Sequence, residues 1–142
     1  GEKNIVIKSK KLCDLAGKDL ERELINYMGI YLKFYNLHNI PFTSITPKIQ
    51  VYLEDEPYFI EVSDGNLILD DAVHEGSDIA IRTTYEEIFK MVENQDYVQE
   101  SISLEKTNIE LVAGSFVLFS KGYLSLYNDL RGSFTGYSII RV

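Results

Sequence analysis

Apolar and polar positions repeat along this chain with two different periods, and the switch between them marks its elements. From about Lys18 to Asn36, the residues Leu20, Leu24, Tyr27, Tyr31, Phe34 and Tyr35 recur at steps of three and four, the spacing of one helix face. Beyond Leu24 the opposite side is apolar too, with Ile25, Met28 and Leu32, so this helix is expected to be covered on more than one side. NIPFTSITP carries two prolines and breaks the pattern, which makes residues 39–47 a connection. A period of two then takes over. In KIQVYLEDEPYFIEVSDGNLILDD, Ile49, Val51 and Leu53 alternate with Lys48, Gln50, Tyr52 and Glu54. Turns at EDEP and SDGN divide this run into three short antiparallel strands, with Gly65 supplying the positive φ of a hairpin. DAVHEGS reads as a loop, DIAIRTT as a fourth strand, and NIVIK at residues 4–8 as a further short strand.

Helical spacing returns in YEEIFKMVEN. Thr83 or Thr84 stands where a cap belongs, and Glu86 or Glu87 near the third helical position completes a capping box. Tyr85, Ile88, Met91 and Val92 form the inward stripe, and Asn94 is expected to close the helix in the left-handed conformation. Residues 95–106 allow another helical turn or two, and NIELVAG reads as a fifth strand ending at Gly114. The next stretch, GSFVLFSKGYLSLYNDLRG, predicts one helix from about Ser115 to Leu130. At about 100° per residue, Phe116, Phe119, Tyr123, Leu126, Tyr127 and Leu130 share a single apolar arc. Val117 and Leu124 form a second strip, and Lys121, Ser125, Asn128 and Asp129 hold the far side. Gly122 sits in mid-helix, where glycine costs ~1 kcal/mol relative to alanine and its bare backbone admits a close neighbour. The tail SFTGYSIIRV reads as an extra strand or a lid.

The 142 residues suit one domain with a core of its own. Fourteen Lys and Arg against 22 Asp and Glu give a formal charge of −8. Such a surface repels phosphate backbones and anionic headgroups, so nucleic acid and stable docking on an anionic membrane are poor expectations. No run approaches the ~20 apolar residues of a membrane span, and GEKNIVIKSKK lacks the apolar core of a signal peptide. The single cysteine, Cys13, excludes an intrachain disulfide and fits a reducing compartment, so the chain is read as cytoplasmic. Within KKLCDLAG, Cys13 is expected to be a small, partly buried hydrophobe.

Candidate chemistry is sparse. DDAVHEGSD offers Asp70, Asp71, His74, Glu75 and Asp78, yet the spacing matches no calcium loop and no zinc motif. It is read as a solvated loop holding no metal, with Asp78 a turn residue that opens the strand. The carboxylates Asp19, Glu21, Glu23, Glu86 and Glu87 lie at helix starts, where the helix dipole accounts for them. GxSxG, a P-loop and GxGxxG are all missing. The chain is therefore expected to be neither an enzyme nor the holder of a cofactor.

The order helix, meander, strand, helix, strand, apolar helix resembles the sterol carrier protein 2 (SCP2) family of lipid-binding domains. The residues that carry the likeness are KIQVYLEDEPYFIEVSDGNLIL, SDIAIRTTYEEIFKMVEN, and NIELVAG followed by SFVLFSKGYLSLYNDL, roughly 48–130. The resemblance implies a single α+β SCP2-like domain: an N-terminal helical region at about 1–47, a core at 48–130 and a tail at 131–142. Its five-stranded, mostly antiparallel sheet would carry helices on one face, with an apolar tunnel between the two. It also implies a soluble carrier whose partner is a fatty acid, acyl-CoA, sterol or other apolar lipid. Phe116, Phe119, Tyr123, Leu126, Tyr127, Ile88, Met91 and Tyr31 would line the tunnel, and the phenols of Tyr123 and Tyr127 would meet a polar head at its mouth. The alternative is a ligand-free module of the same fold that uses its apolar helices to form a homodimer.

Overall fold

The structure, a computed structural model, describes residues 12–129. The first long helix, α1, spans Gly17–Tyr31 and buries Leu24, Ile25, Met28 and Tyr31. It stops short of the expected Asn36, because Lys33 takes a left-handed φ of 62°. A short 3-10 turn over Phe34–Asn36 follows and drives Phe34 into the core. Gly29 lets α1 lie close on the sheet: a Cβ there would meet Leu67 Cδ2 at 2.5 Å.

The alternating region folds as the period of two dictates. Strands β1 (Lys48–Leu53), β2 (Glu56–Ser63) and β3 (Asn66–Asp70) form the meander. Strand β4 (Ile79–Thr83) lies parallel to β1, with Ile49 opposite Ile79. Strand β5 (Asn108–Leu111) closes the other edge antiparallel to β4. The order is β3-β2-β1-β4-β5, so the link from β3 to β4 must cross β2 and β1. Gln50 holds that link: its amide nitrogen donates to the Ala72 carbonyl at 3.0 Å, and its oxygen accepts the His74 amide at 3.1 Å. The His74 ring lies 4.4 Å from that of Phe59 on the same face.

The opposite face carries Ile49, Val51, Leu53, Tyr58, Ile60, Val62, Ile79 and Ile81, all buried in one cluster with side chains of α1. Helix α2 (Tyr85–Glu93) adds Ile88, Met91 and Val92 to that cluster. Thr84 caps α2 by accepting the Glu87 amide at 3.3 Å, as the capping pattern requires. Asn94 does not adopt the left-handed form; its backbone is extended, at φ −149°, and its side chain accepts the Asp96 amide at 3.1 Å. That bond leads into α3 (Tyr97–Ser103), the extra helical turns that residues 95–106 allowed.

The expected continuous C-terminal helix is two helices, α4 (Ser115–Lys121) and α5 (Tyr123–Asp129). Gly122 divides them with a φ of 95°, a left-handed residue of the kind that ends helices. The bend undoes the single arc. Leu118 and Lys121 of α4 turn inward and Phe116 and Phe119 turn out, while Tyr123 and Leu126 of α5 are buried. Lys121, expected on the far side, is 3% exposed. Cys13, expected to be partly buried, is exposed. The strand expected at residues 4–8, the tail from 131 and Leu130 lie outside the described residues.

Candidate functional site

The C-terminal helices are positioned by one carboxylate. Asp78 precedes β4 and is 2% exposed. Its Oδ1 accepts Lys121 Nζ at 2.8 Å. Its Oδ2 accepts both the Lys48 amide and the Tyr123 hydroxyl at 2.8 Å. Its carbonyl takes the amides of Val112 and Ala113, each at 2.9 Å. One residue thus joins the start of β1, the end of β5, α4 and α5. A buried ion pair is tolerated when further hydrogen bonds serve its charged atoms, and Oδ2 of Asp78 accepts two beside the pair itself. The chemistry also explains why β5 ends at Leu111 rather than at Gly114: the next two amides leave the ladder for the Asp78 carbonyl.

With Lys121 and Leu118 held inward, the other side of α4 is fixed outward. Phe116 and Phe119 stand three residues apart on that side, each 71% exposed. Val112, just before α4, is half exposed. Adjacent exposed apolar side chains are the kind of surface that ligand and interaction sites are built from. The α4–α5 bend is backed by the segment after the 3-10 turn. The His38 amide donates to the Lys121 carbonyl at 3.0 Å, and a Cβ on Gly122 would lie 3.2 Å from His38 Nε2. A cavity of about 200 Å³ remains here among Asn36, Leu37, His38, Gly122, Ser125 and Leu126.

The residues expected to line a tunnel fall into two groups. Ile88, Met91, Tyr31, Tyr123 and Leu126 meet in the core cluster, each 9% exposed or less. Phe116 and Phe119 lie outside that cluster, on the surface. Tyr127 belongs to α5, and its side chain lies outside the described residues. The Tyr123 hydroxyl donates to Asp78 inside the fold.

Two further polar clusters escaped the sequence reading. Glu21 of α1 accepts the hydroxyls of Tyr58 from β2 and of Tyr85 from α2, the latter at 2.5 Å. Burial alone would raise the Glu21 pKa, but the two phenols and nearby Lys18 together hold it below the ordinary carboxylate value. The same contacts act the other way on their donors. Burial first, then the bond to Glu21, push Tyr58 far up, while the Glu21 bond first, then burial, push Tyr85 up to about 12. In the second cluster Glu87, 5% exposed, accepts Tyr97 at 2.6 Å and Ser101 at 2.8 Å. Ser101 continues to Thr107 at 2.7 Å, and Thr107 to Thr83 at 2.9 Å. Each cluster spends its polar atoms on tying helices to the sheet. The only sequence signal for them was a set of hydroxyl-bearing positions on apolar stripes.

The acidic loop disperses. His74 pairs with Asp70 at 2.6 Å, Asp71 takes the Arg22 guanidinium through both oxygens, and Asp78 turns into the core. Among the described residues no three His, Cys, Asp or Glu side chains come together as a metal site would need. No helix among them is long and apolar enough to cross a membrane.

The fold is therefore α+β, a five-stranded mixed sheet with three antiparallel pairings and one parallel, covered by helices. This is the architecture that the SCP2 resemblance implied. Among solved structures, the chain is similar to one described as "UbiJ-SCP2 Ubiquinone synthesis protein", at a TM-score of 0.42 and 8% identity, covering 89% of this chain and 94% of that one. No family model and no curated protein matches the sequence.

Proposed function

We propose that the chain holds a single-chain apolar molecule, such as a fatty acid or another lipid, against the outward face of α4. The observation that carries this reading is the pair Phe116 and Phe119, both 71% exposed while the opposite side of the same helix is locked by the Asp78–Lys121 ion pair. A helix so anchored cannot roll its rings inward, so they remain available to a guest. Each CH₂ that such a guest buries contributes about 0.8 kcal/mol before the cost of immobilising it. Ile88, Met91 and Tyr31 support the site from within the core beneath the helices and are reached only if the core opens. Binding is favoured over catalysis because the buried Asp78 and Glu87 and the part-buried Glu21 are each engaged by neighbouring donors.

Titration with a fluorescent fatty acid tests this. The wild type is expected to saturate at one molecule per chain. Phe119→Asp should weaken uptake at least tenfold with an unchanged melting temperature, since the ring lies outside the core. Equal uptake by a stable Phe119→Asp variant would remove α4 from the site. A Phe119-dependent dimer with no uptake would favour the self-association module instead.

A further inference from the structure

A second apolar feature stands apart from α4. The loop from Ile40 to Ile45 lifts Phe42 fully into solvent, at 107% relative exposure, with a left-handed φ of 67°. The loop is closed on itself: the Ile40 amide donates to the Ile45 carbonyl at 3.1 Å and the Thr43 amide to the Ile40 carbonyl at 3.0 Å. Thr43 Oγ1 donates to the Ile40 carbonyl at 2.7 Å and accepts the Ile45 amide at 3.2 Å. A non-glycine residue held at positive φ by such a frame is strained, and strain of this kind persists where the surroundings enforce it. Here it aims a large ring away from the protein.

We propose that this loop is a docking prong that seats Phe42 in the interfacial layer of an uncharged, zwitterionic bilayer. Residues 34–47 hold no Lys, Arg, Asp or Glu in a chain whose net charge is −8. The loop thus carries no charged side chain of its own into the layer; Asp64, which lines the same hollow beside Tyr35 and Phe42, has to stay at the headgroup level, and the acidic remainder is repelled by anionic lipid. Ile45 and Tyr35, each about half exposed, flank the tip, and a tyrosine is well suited to the headgroup level. The exposed apolar area is small: one aromatic ring buries about 150–250 Å², against the 1,000 Å² or more that a stable protein interface needs. A second copy carrying the same charge would also be repelled. A fluid bilayer needs no matching groove, and its weak, reversible grip scales with the apolar area buried, here Phe42 with Ile45 and Tyr35 beside it.

Docking needs only the loop's own geometry; if α4 holds an apolar ligand, as proposed above, docking also has a use. A lipid holder must meet a bilayer to load, and the chain just before the loop is bonded at His38 to the α4–α5 bend.

The chain contains no tryptophan, so Phe42→Trp places one fluorophore at the tip. On adding phosphatidylcholine vesicles the emission of the Phe42→Trp variant should shift to the blue. The wild type should sediment with the vesicles, Phe42→Ser at least fivefold less, and both should melt at the same temperature. Phosphatidylserine in the vesicles should weaken binding. Uptake of the fluorescent fatty acid from solution should not change in Phe42→Ser, which separates this claim from the α4 site. The proposal is overturned by unshifted emission, by equal sedimentation of wild type and Phe42→Ser, by stronger binding to anionic vesicles, or by a Phe42-dependent dimer in sedimentation velocity.

Discussion

Asp78→Ala is expected to destabilise the fold by about 3–5 kcal/mol, the range for breaking a buried ion pair from one side. The substitution removes the carboxylate that Lys121 Nζ pairs with, and the lysine is only 3% exposed, so water cannot readily replace it. It also removes the bonds that Asp78 accepts from the Tyr123 hydroxyl and the Lys48 amide. A small domain has about 5–15 kcal/mol of stability in total, so this one change removes a large share of it. Urea denaturation of wild type and variant measures the loss. Lys121→Met in the Asp78→Asn background separates charge from packing. If the ion pair is the source, the double variant should be more stable than Asp78→Asn alone. A loss below 1 kcal/mol for Asp78→Ala would mean that the pair does not anchor α4.

Ile88→Ala should cost about 2–5 kcal/mol, the range for emptying a fully buried aliphatic site. Ile88 is 0% exposed at the centre of α2, inside the cluster that joins α1, α2 and the sheet. The truncation leaves a void that rigid neighbours cannot fill. Uptake of the fluorescent fatty acid distinguishes this structural role from a direct one. At temperatures well below its melting point, Ile88→Ala should bind within about threefold of wild type, a difference near 0.7 kcal/mol. A tenfold loss of uptake at full folding would place Ile88 at the ligand.

These two residues show where the sequence could be read and where it could not. The meander was legible because Ile49, Val51 and Leu53 alternate strictly with polar partners, and Asp64-Gly65-Asn66 is turn chemistry. Helix α2 was legible because its cap and stripe agree: Thr84, Glu87, Ile88 and Met91 all fall where one helix needs them. The C-terminal pair was not. A window of period 3.6 treats GSFVLFSKGYLSLYNDL as continuous, so it places Phe119 beside Tyr123 and Lys121 toward water. The left-handed Gly122 resets that phase, and only its unfavourable position in a helix hinted at the break. Asp78 and Lys121 are 43 residues apart, and nothing local marks a lysine as buried when its counter-charge arrives from the bend before β4. By sequence alone Glu21 reads as a helix-dipole carboxylate for the same reason, since Tyr58 and Tyr85 reach it only after the sheet has formed.

An apolar guest on the outward face of α4 should travel with the protein when it is isolated. Native mass spectrometry of the full chain purified from cells tests this most directly. The expected spectrum shows the monomer with one adduct of lipid mass, absent from Phe119→Asp prepared in the same way. A bare monomer or an adduct-free dimer for the wild type, from cells in which the protein is folded, would contradict it.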